Sequence, residues 1–213
     1  MNTLGKSIAL AIFLGIAGAN LFPAVQPAFG AEDAPVATSK RTKEDVAKDM
    51  DATGKQLQEL MGSEDALFDP AKRAQIAPKA VPLLHQMISL FDEQVALNPE
   101  LKPAVADVRV QILSLASFMG DAKADQMLAD LTKSDNASQA RIAQAAQMLV
   151  RWWKSPKDAA EQTKVVDDLG KLAKANPDDA RFQRIFSVMA AKGAANDQIK
   201  DRVAALAASK PKE

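Results

Sequence analysis

The chain has 213 residues, of which 47% are hydrophobic and only 5% aromatic, and its 27 basic side chains balance its 27 acidic ones. It contains no cysteine, so disulfides, thiol nucleophiles and thiolate metal sites are excluded. Charges of both signs are interspersed along the chain, without a basic stripe that could follow a phosphate backbone. Nucleic acid is therefore not expected as a partner.

Residues 1–30 have the features of a secretory signal peptide. Lys6 supplies a positive start, the apolar run "IALAIFLGIAGA" follows, and Ala28 and Gly30 place small residues before a cleavage site that precedes Ala31. The run is shorter than the roughly 20 residues that span a bilayer, so we expect cleavage rather than a permanent anchor. Loss of Lys6 would leave one excess acidic charge. We predict export to the periplasm or the extracellular space, with no membrane span after cleavage.

Residues 31–41 are small and polar, which predicts a flexible segment, and residues 210–213 are predicted to form a tail. Between them, residues 42–209 are predicted to form one all-α domain, because apolar side chains recur at helical spacing and no stretch alternates as a strand does. The predicted helices, in chain order, are 43–61, 70–97, 103–119, 121–133, 137–154, 156–175, 178–192 and 197–209.

Capping residues, prolines and glycines predict where these helices begin and end. Thr42 and Asp121 are predicted N-caps, and Gly120 and Gly193 are predicted in the left-handed conformation that closes a helix. Three further helices are predicted to begin with proline at the first helical position, in the pairs Asp69-Pro70, Ser155-Pro156 and Asn176-Pro177. The short connections favour antiparallel hairpins. The predicted fold is therefore a set of helical hairpins, stacked as a short solenoid or packed as an irregular bundle.

A weak repeat accompanies this pattern. Leucines at matching places near helix ends are spaced 34 to 41 residues apart, at Leu60, Leu97, Leu131, Leu172 and Leu206. Such periods are typical of stacked helical hairpins.

The stretch "LAKANPDDARF" (172–182) resembles the junction between hairpins of tetratricopeptide repeat proteins, where an Asn-Pro-Asp turn separates two helices. Repeats of that family are nearly constant in length and carry Trp, Gly and Tyr, whereas here the lengths vary and tyrosine is absent. Residues 43–209 are also similar to helical regions that precede thioredoxin-like domains in exported redox proteins. The chain lacks the Cys-x-x-Cys of those domains, so both resemblances imply architecture alone.

Both tryptophans lie side by side in predicted helix 137–154. Trp153 continues the apolar stripe and should point into the core, whereas Trp152 lies about 100° further round, at the margin of the stripe. The pair could fill space between diverging helices, or Trp152 could form the wall of a groove for a peptide or an apolar ligand. The candidate partner-binding residues, chosen by type and neighbourhood, are Trp152, Arg151, Lys154, Arg181 and Arg184.

No catalytic, cofactor or metal site is predicted. His85, the only histidine, falls on the flank of its helix, without metal ligands or a nucleophile nearby in sequence. A haem held between His85 and a methionine is an alternative, although helical methionines usually fill cores. Adjacent acids such as Asp167 and Asp168 diverge on a helix and share a proton or a metal poorly. Nucleophile-elbow, zinc-protease and phosphate-loop motifs are absent from the sequence.

The sequence therefore predicts an exported, non-catalytic helical protein that acts as a protein-binding or scaffold module. It predicts no cofactor and an unidentified protein partner. The alternatives are a helical bundle that binds a small apolar ligand or haem, and an accessory subunit of an envelope enzyme.

Overall fold

The structure, a computed structural model, describes residues 41–62, 67–191 and 193–208. The predicted signal peptide, most of the predicted segment 31–41 and the predicted tail lie outside the described residues. Across the described ranges the protein is all-α and contains no strand, which confirms the predicted fold class. The helices are α1 (Lys43–Met61), α2 (Pro70–Leu97), α3 (Lys102–Phe118), α4 (Ala122–Leu131), α5 (Ala137–Lys154), α6 (Ala159–Lys174), α7 (Arg181–Ala191) and α8 (Asp197–Ala208), with a 3-10 turn at Pro99–Leu101 before α3.

Several predicted caps are confirmed. The Thr42 hydroxyl accepts a hydrogen bond from the backbone N–H of Asp45, and the Asp45 carboxylate accepts one from the backbone N–H of Thr42. Asp69 caps α2 with proline at the first helical position, and Asp121 caps α4 through bonds from two backbone N–H groups. These bonds satisfy amide groups that have no partner within the first turn of a helix.

Helices α6 and α7 begin three residues later than predicted, so the Ser-Pro and Asn-Pro starts are wrong. Each proline lies in a turn, because the backbone N–H of Asp158 donates to the carbonyl of Ser155 and that of Asp179 donates to the carbonyl of Asn176. Asp158 then caps α6, and Asp179 accepts from the first N–H of α7. In both cases the later carboxylate takes the capping position.

Helix α3 lies at the centre of the packing. Every residue from 110 to 119 is buried, and α3 packs against α2, α4 and α5. Helix α5 in turn packs against α4, α6 and α7, while α8 packs against α7 and α6. One continuous apolar core therefore joins all eight helices. The solenoid arrangement stays a prediction.

Trp153 points into this core, as predicted. Its ring lies 5.4 Å from that of Phe118 and 6.2 Å from that of Phe68, measured between centroids. The guanidinium of Arg73 lies 4.3 Å from the centre of the Phe118 ring, in a cation–π contact. The aromatic cluster thus joins α3 and α5 to the chain that leads into α2.

Trp152 is completely buried. It is 0% exposed, against 6% for Trp153, which confirms the alternative that the pair fills the core and leaves no groove wall at Trp152. The loop between α7 and α8 covers it, because a Cβ built on Gly193 would lie only 2.9 Å from Trp152 Nε1. Sequence periodicity could not reveal this cover, since it comes from a loop about 40 residues further along the chain.

Gln162 of α6 fixes that loop in place. Its side chain is fully buried, its Nε2 donates to the carbonyl of Gly193, and its Oε1 accepts from the backbone N–H of Ala195 at 2.7 Å. Both ends of the amide are therefore paired with loop backbone. This satisfies a polar group that is costly to bury alone.

Replacing Gly193 by alanine is expected to lower the free energy of unfolding by about 2–4 kcal/mol. Part of the loss comes from φ +95°, which disfavours a side chain, and part from overlap of the new methyl group with Trp152. Gly120→Ala is the matched control, because Gly120 has φ +94° and no atom within 4 Å of an added Cβ. Urea unfolding monitored by far-UV circular dichroism measures both losses, and equal losses would contradict the close approach of the loop to Trp152.

Candidate functional site

Three of the predicted partner-binding residues lie at the end of α5, where they have different surroundings. Arg151 forms an ion pair with Glu161 of α6, with Nη2 2.6 Å from Oε1. Lys154 Nζ lies 3.7 Å from the carboxylate of Asp125 on α4. Trp152 is buried, so its ring has no surface for direct contact with a partner. These side chains connect helices and do not form one exposed patch.

Arg181, at the first position of α7, makes the most extensive polar contacts. Its Nε and Nη2 donate to the two oxygens of Asp179 at 2.8 and 2.7 Å. Nη1 donates to Asp107 of α3 at 3.1 Å, and Nη2 donates to the hydroxyl of Ser138 of α5 at 2.7 Å. Four of its five N–H groups are thus used, and the side chain connects α7 to α3 and α5. We call these four residues the Arg181 network.

The charges of this network stabilise one another. Hydrogen bonds from the Arg181 side chain hold the pKa of Asp179 below its usual value, assisted by the backbone N–H of Arg181 and the positive charges of Arg181 and Arg141, and opposed by burial. The bond to Asp179 raises the pKa of Arg181, with a further contribution from the charge of Asp107 and against the effect of burial. Both side chains are therefore held in their charged forms.

An open depression of about 550 Å³ lies beside the network. Its walls are Arg141 of α5, Arg181, and the α6–α7 turn formed by residues 175–180. We call it the α6–α7 depression. The Nε of Arg141 is shielded from solvent and has no hydrogen-bond partner among the residues that the structure describes. Because a buried donor without an acceptor costs about 1–3 kcal/mol, Arg141 is a position where an added acceptor would be stabilising.

Arg184 lies one turn after Arg181, beside a separate cavity of about 30 Å³ between α3, α5 and α7. Arg181 and Arg184 both line this cavity, together with Asp107 and Gln111 of α3 and apolar residues of α5. Its volume suits about one or two water molecules and no larger ligand. Arg184 is exposed and forms no ion pair with any described residue. The structure thus brings together the two arginines that the sequence predicted on this hairpin.

His85 is half-buried, as its position on the flank of α2 predicted. Its Nε2 lies 2.6 Å from the carboxylate of Asp121, which also caps α4. The pair connects α2 to the start of α4. Among the described residues, no hydroxyl or amine extends it into a nucleophile–base arrangement.

Sequence reasoning missed the partners of these charged residues. Asp107 is 74 positions from Arg181, and Asp121 is 36 positions from His85, so neither separation gives a local signal. Arg141 was missed because the helical spacing of apolar residues gives no information about a single arginine near the start of a helix. The adjacent acids Asp178 and Asp179 are a local signal, since negative charge beside the start of a helix is favoured by the helix dipole.

Within the described ranges, no group of three or more His, Cys, Asp or Glu side chains could hold a metal ion. In the same ranges, no helix is both long enough and apolar enough to span a membrane. No protein-family model, curated protein or solved structure matches this chain. The resemblance to tetratricopeptide repeats and to helical regions of exported redox proteins therefore stays a prediction from the sequence pattern.

Replacing Arg181 by glutamine is expected to lower the free energy of unfolding by about 1.5–3 kcal/mol, because charge-assisted bonds to Asp107 and Asp179 are lost. Arg184→Gln, the same change one turn later at an exposed arginine, should stay within about 0.5 kcal/mol of the wild type. Chemical denaturation of both variants measures the difference. Similar small effects would show that the Arg181 network does not support the fold.

Asp179 should make stability depend on acid pH. Because its pKa is depressed in the folded state, its stabilising contribution is present above the unfolded value of about 3.9 and disappears as the pH falls through the folded value. Asp179→Asn should therefore be less stable than the wild type at pH 7, and the gap should narrow below about pH 4. Urea unfolding at a series of pH values measures the gap, with Asp178→Asn as the neighbouring control. A gap that stays constant into acid would rule out the proposed role of this charge.

Proposed function

We propose that this protein is exported and acts as a non-catalytic module that binds another protein over the α6–α7 depression and the adjoining Arg184. One observation carries the proposal. The depression is open and about 550 Å³ in volume, and its wall is held by Arg181 through bonds to α3, α5 and the α6–α7 turn. Export rests on the signal-like features of residues 1–30.

A fixed surface favours binding, because little conformational entropy remains to be lost when a partner docks. Arg181 holds one end of α7 in place, and Gln162 holds the loop that follows its other end. Between these points the apolar face of α7 is buried through Phe182, Ile185, Phe186 and Met189. The depression is therefore a pre-formed feature.

The openness of the depression favours a macromolecular partner over a small apolar ligand. Small-molecule sites usually enclose most of their ligand. The cavity between α3, α5 and α7 is less open than the depression but holds only about 30 Å³, which is far too small for haem. A side chain presented by a docked protein suits an open depression better.

The predicted residues have different places in this proposal. Arg184 is the direct contact, since it is exposed and forms no ion pair with a described residue. Arg181 is a positioning residue that shapes the depression. The buried ring of Trp152 packs against the α7–α8 loop. Arg151 and Lys154 would contact a partner only if that partner also reached the end of α5.

Site-specific photocrosslinking tests this proposal. A photoreactive amino acid replaces Arg184 in the full chain, which is produced in its native host, and crosslinked products are identified by mass spectrometry. The control position is Lys79, an exposed residue of α2 that takes no part in the depression. We expect a specific protein adduct from position 184 and none from position 79. The same adducts from both positions, or no adduct from position 184, would contradict the proposal.

A further inference from the structure

The α6–α7 depression contains two arginines, and only one of them has hydrogen-bond acceptors among the described residues. Arg181 donates four hydrogen bonds to Asp107, Asp179 and Ser138. Arg141 forms no hydrogen bond or ion pair with a described residue, and its Nε is also shielded from solvent. Arg141 lines the depression, and its two Nη groups have no hydrogen-bond partner among the described residues, so they are the donors that a ligand there would meet.

The chemistry of a guanidinium narrows the acceptor that would fit. Its planar set of N–H groups matches the two oxygens of a carboxylate, which it binds in a bidentate manner. Neutral carbonyl groups provide one oxygen and no charge, so they bind such a group more weakly. The unsaturated arginine thus favours a carboxylate ligand.

The charges around the depression limit how negative the ligand can be. Arg141 and Arg181 line it together with Asp178 and Asp179, so the wall is electrically balanced. Asp179 is neutralised by Arg181, whereas Asp178 is exposed at the rim. Because Coulomb repulsion scales with charge, Asp178 disfavours a doubly charged phosphate more than a singly charged carboxylate.

We infer that the α6–α7 depression binds the carboxylate of an aspartate or glutamate side chain of the protein partner, and that Arg141 is the residue that binds it. This inference rests on the proposed function. A side chain is favoured over a chain terminus because the depression is open, so a continuous segment can pass across it and direct one acid inward.

NMR titration tests the inference with defined probes. The Nε–H signal of Arg141 should be visible in the NMR spectrum because this atom is shielded from solvent. The signal is assigned as the one that disappears in the Arg141→Lys variant. Capped glutamate, with both termini blocked, is titrated against capped glutamine and against N-acetylalanine, whose carboxylate represents a chain end. We expect a saturable shift of the Arg141 signal with capped glutamate, and a much smaller one with the other two probes.

Arg141→Lys keeps the positive charge but loses the bidentate geometry, so it should bind capped glutamate about tenfold more weakly, as followed by backbone amide shifts around residues 175–180. Arg202→Lys is the matched control, because Arg202 is an exposed arginine of α8 that takes no part in the depression, and it should bind like the wild type. The inference is overturned if capped glutamine shifts the signal equally, if N-acetylalanine binds more tightly, if no probe binds, or if Arg141→Lys binds unchanged.

The two proposals can fail separately. Position 184 could give a specific adduct whose yield changes neither in the Arg141→Lys variant nor with excess capped glutamate. In that case the protein-binding function stands and the carboxylate inference fails. If capped glutamate binds at Arg141 but no adduct forms from position 184, the carboxylate site stands and the protein-binding proposal fails.

Discussion

The side-chain amide of Gln162 fixes how the last two helices sit on the rest of the protein. It is completely enclosed, so its donor and its acceptor must both find partners inside the protein. The carbonyl of Gly193 and the N–H of Ala195 supply them, which holds the α7–α8 loop against α6. Gly193 can take this position because it lacks a side chain where Trp152 approaches. Two hydrogen bonds from Gln162 and the absence of a side chain at Gly193 thus hold the α7–α8 loop in place.

The opposite end of α7 is fixed by a charged contact instead. Arg181 reaches Asp107 on the central helix α3 and Ser138 near the start of α5. Because α7 is only 11 residues long, restraints at both ends leave it little freedom to rotate or slide. The shape of the α6–α7 depression follows from this double restraint, and the binding role proposed for it rests on Arg141 in its wall.

The fold class and most helix ends could be predicted from the sequence, because capping signals act over three or four residues. Helices α1, α2 and α5 have the predicted bounds, since each start has one strong capping side chain. The starts of α6 and α7 were predicted wrongly because two capping candidates lie three residues apart in each case, and only the folded chain selects between them. The site was harder to predict: Arg181 and Arg184 were found by residue type, but Asp107 and Arg141 meet Arg181 and the depression only through tertiary packing.

The close approach of Gly193 to Trp152 has an optical consequence. The chain contains two tryptophans and no tyrosine, so its ultraviolet emission comes almost wholly from adjacent indoles in different surroundings. Trp153 lies against two phenylalanine rings, while Trp152 lies against the loop backbone at Gly193. Displacement of that loop would expose Trp152 to water and shift its fluorescence to longer wavelength, while the surroundings of Trp153 stayed unchanged. The molecule therefore has a built-in fluorophore that reports on the position of the α7–α8 loop, without an added dye.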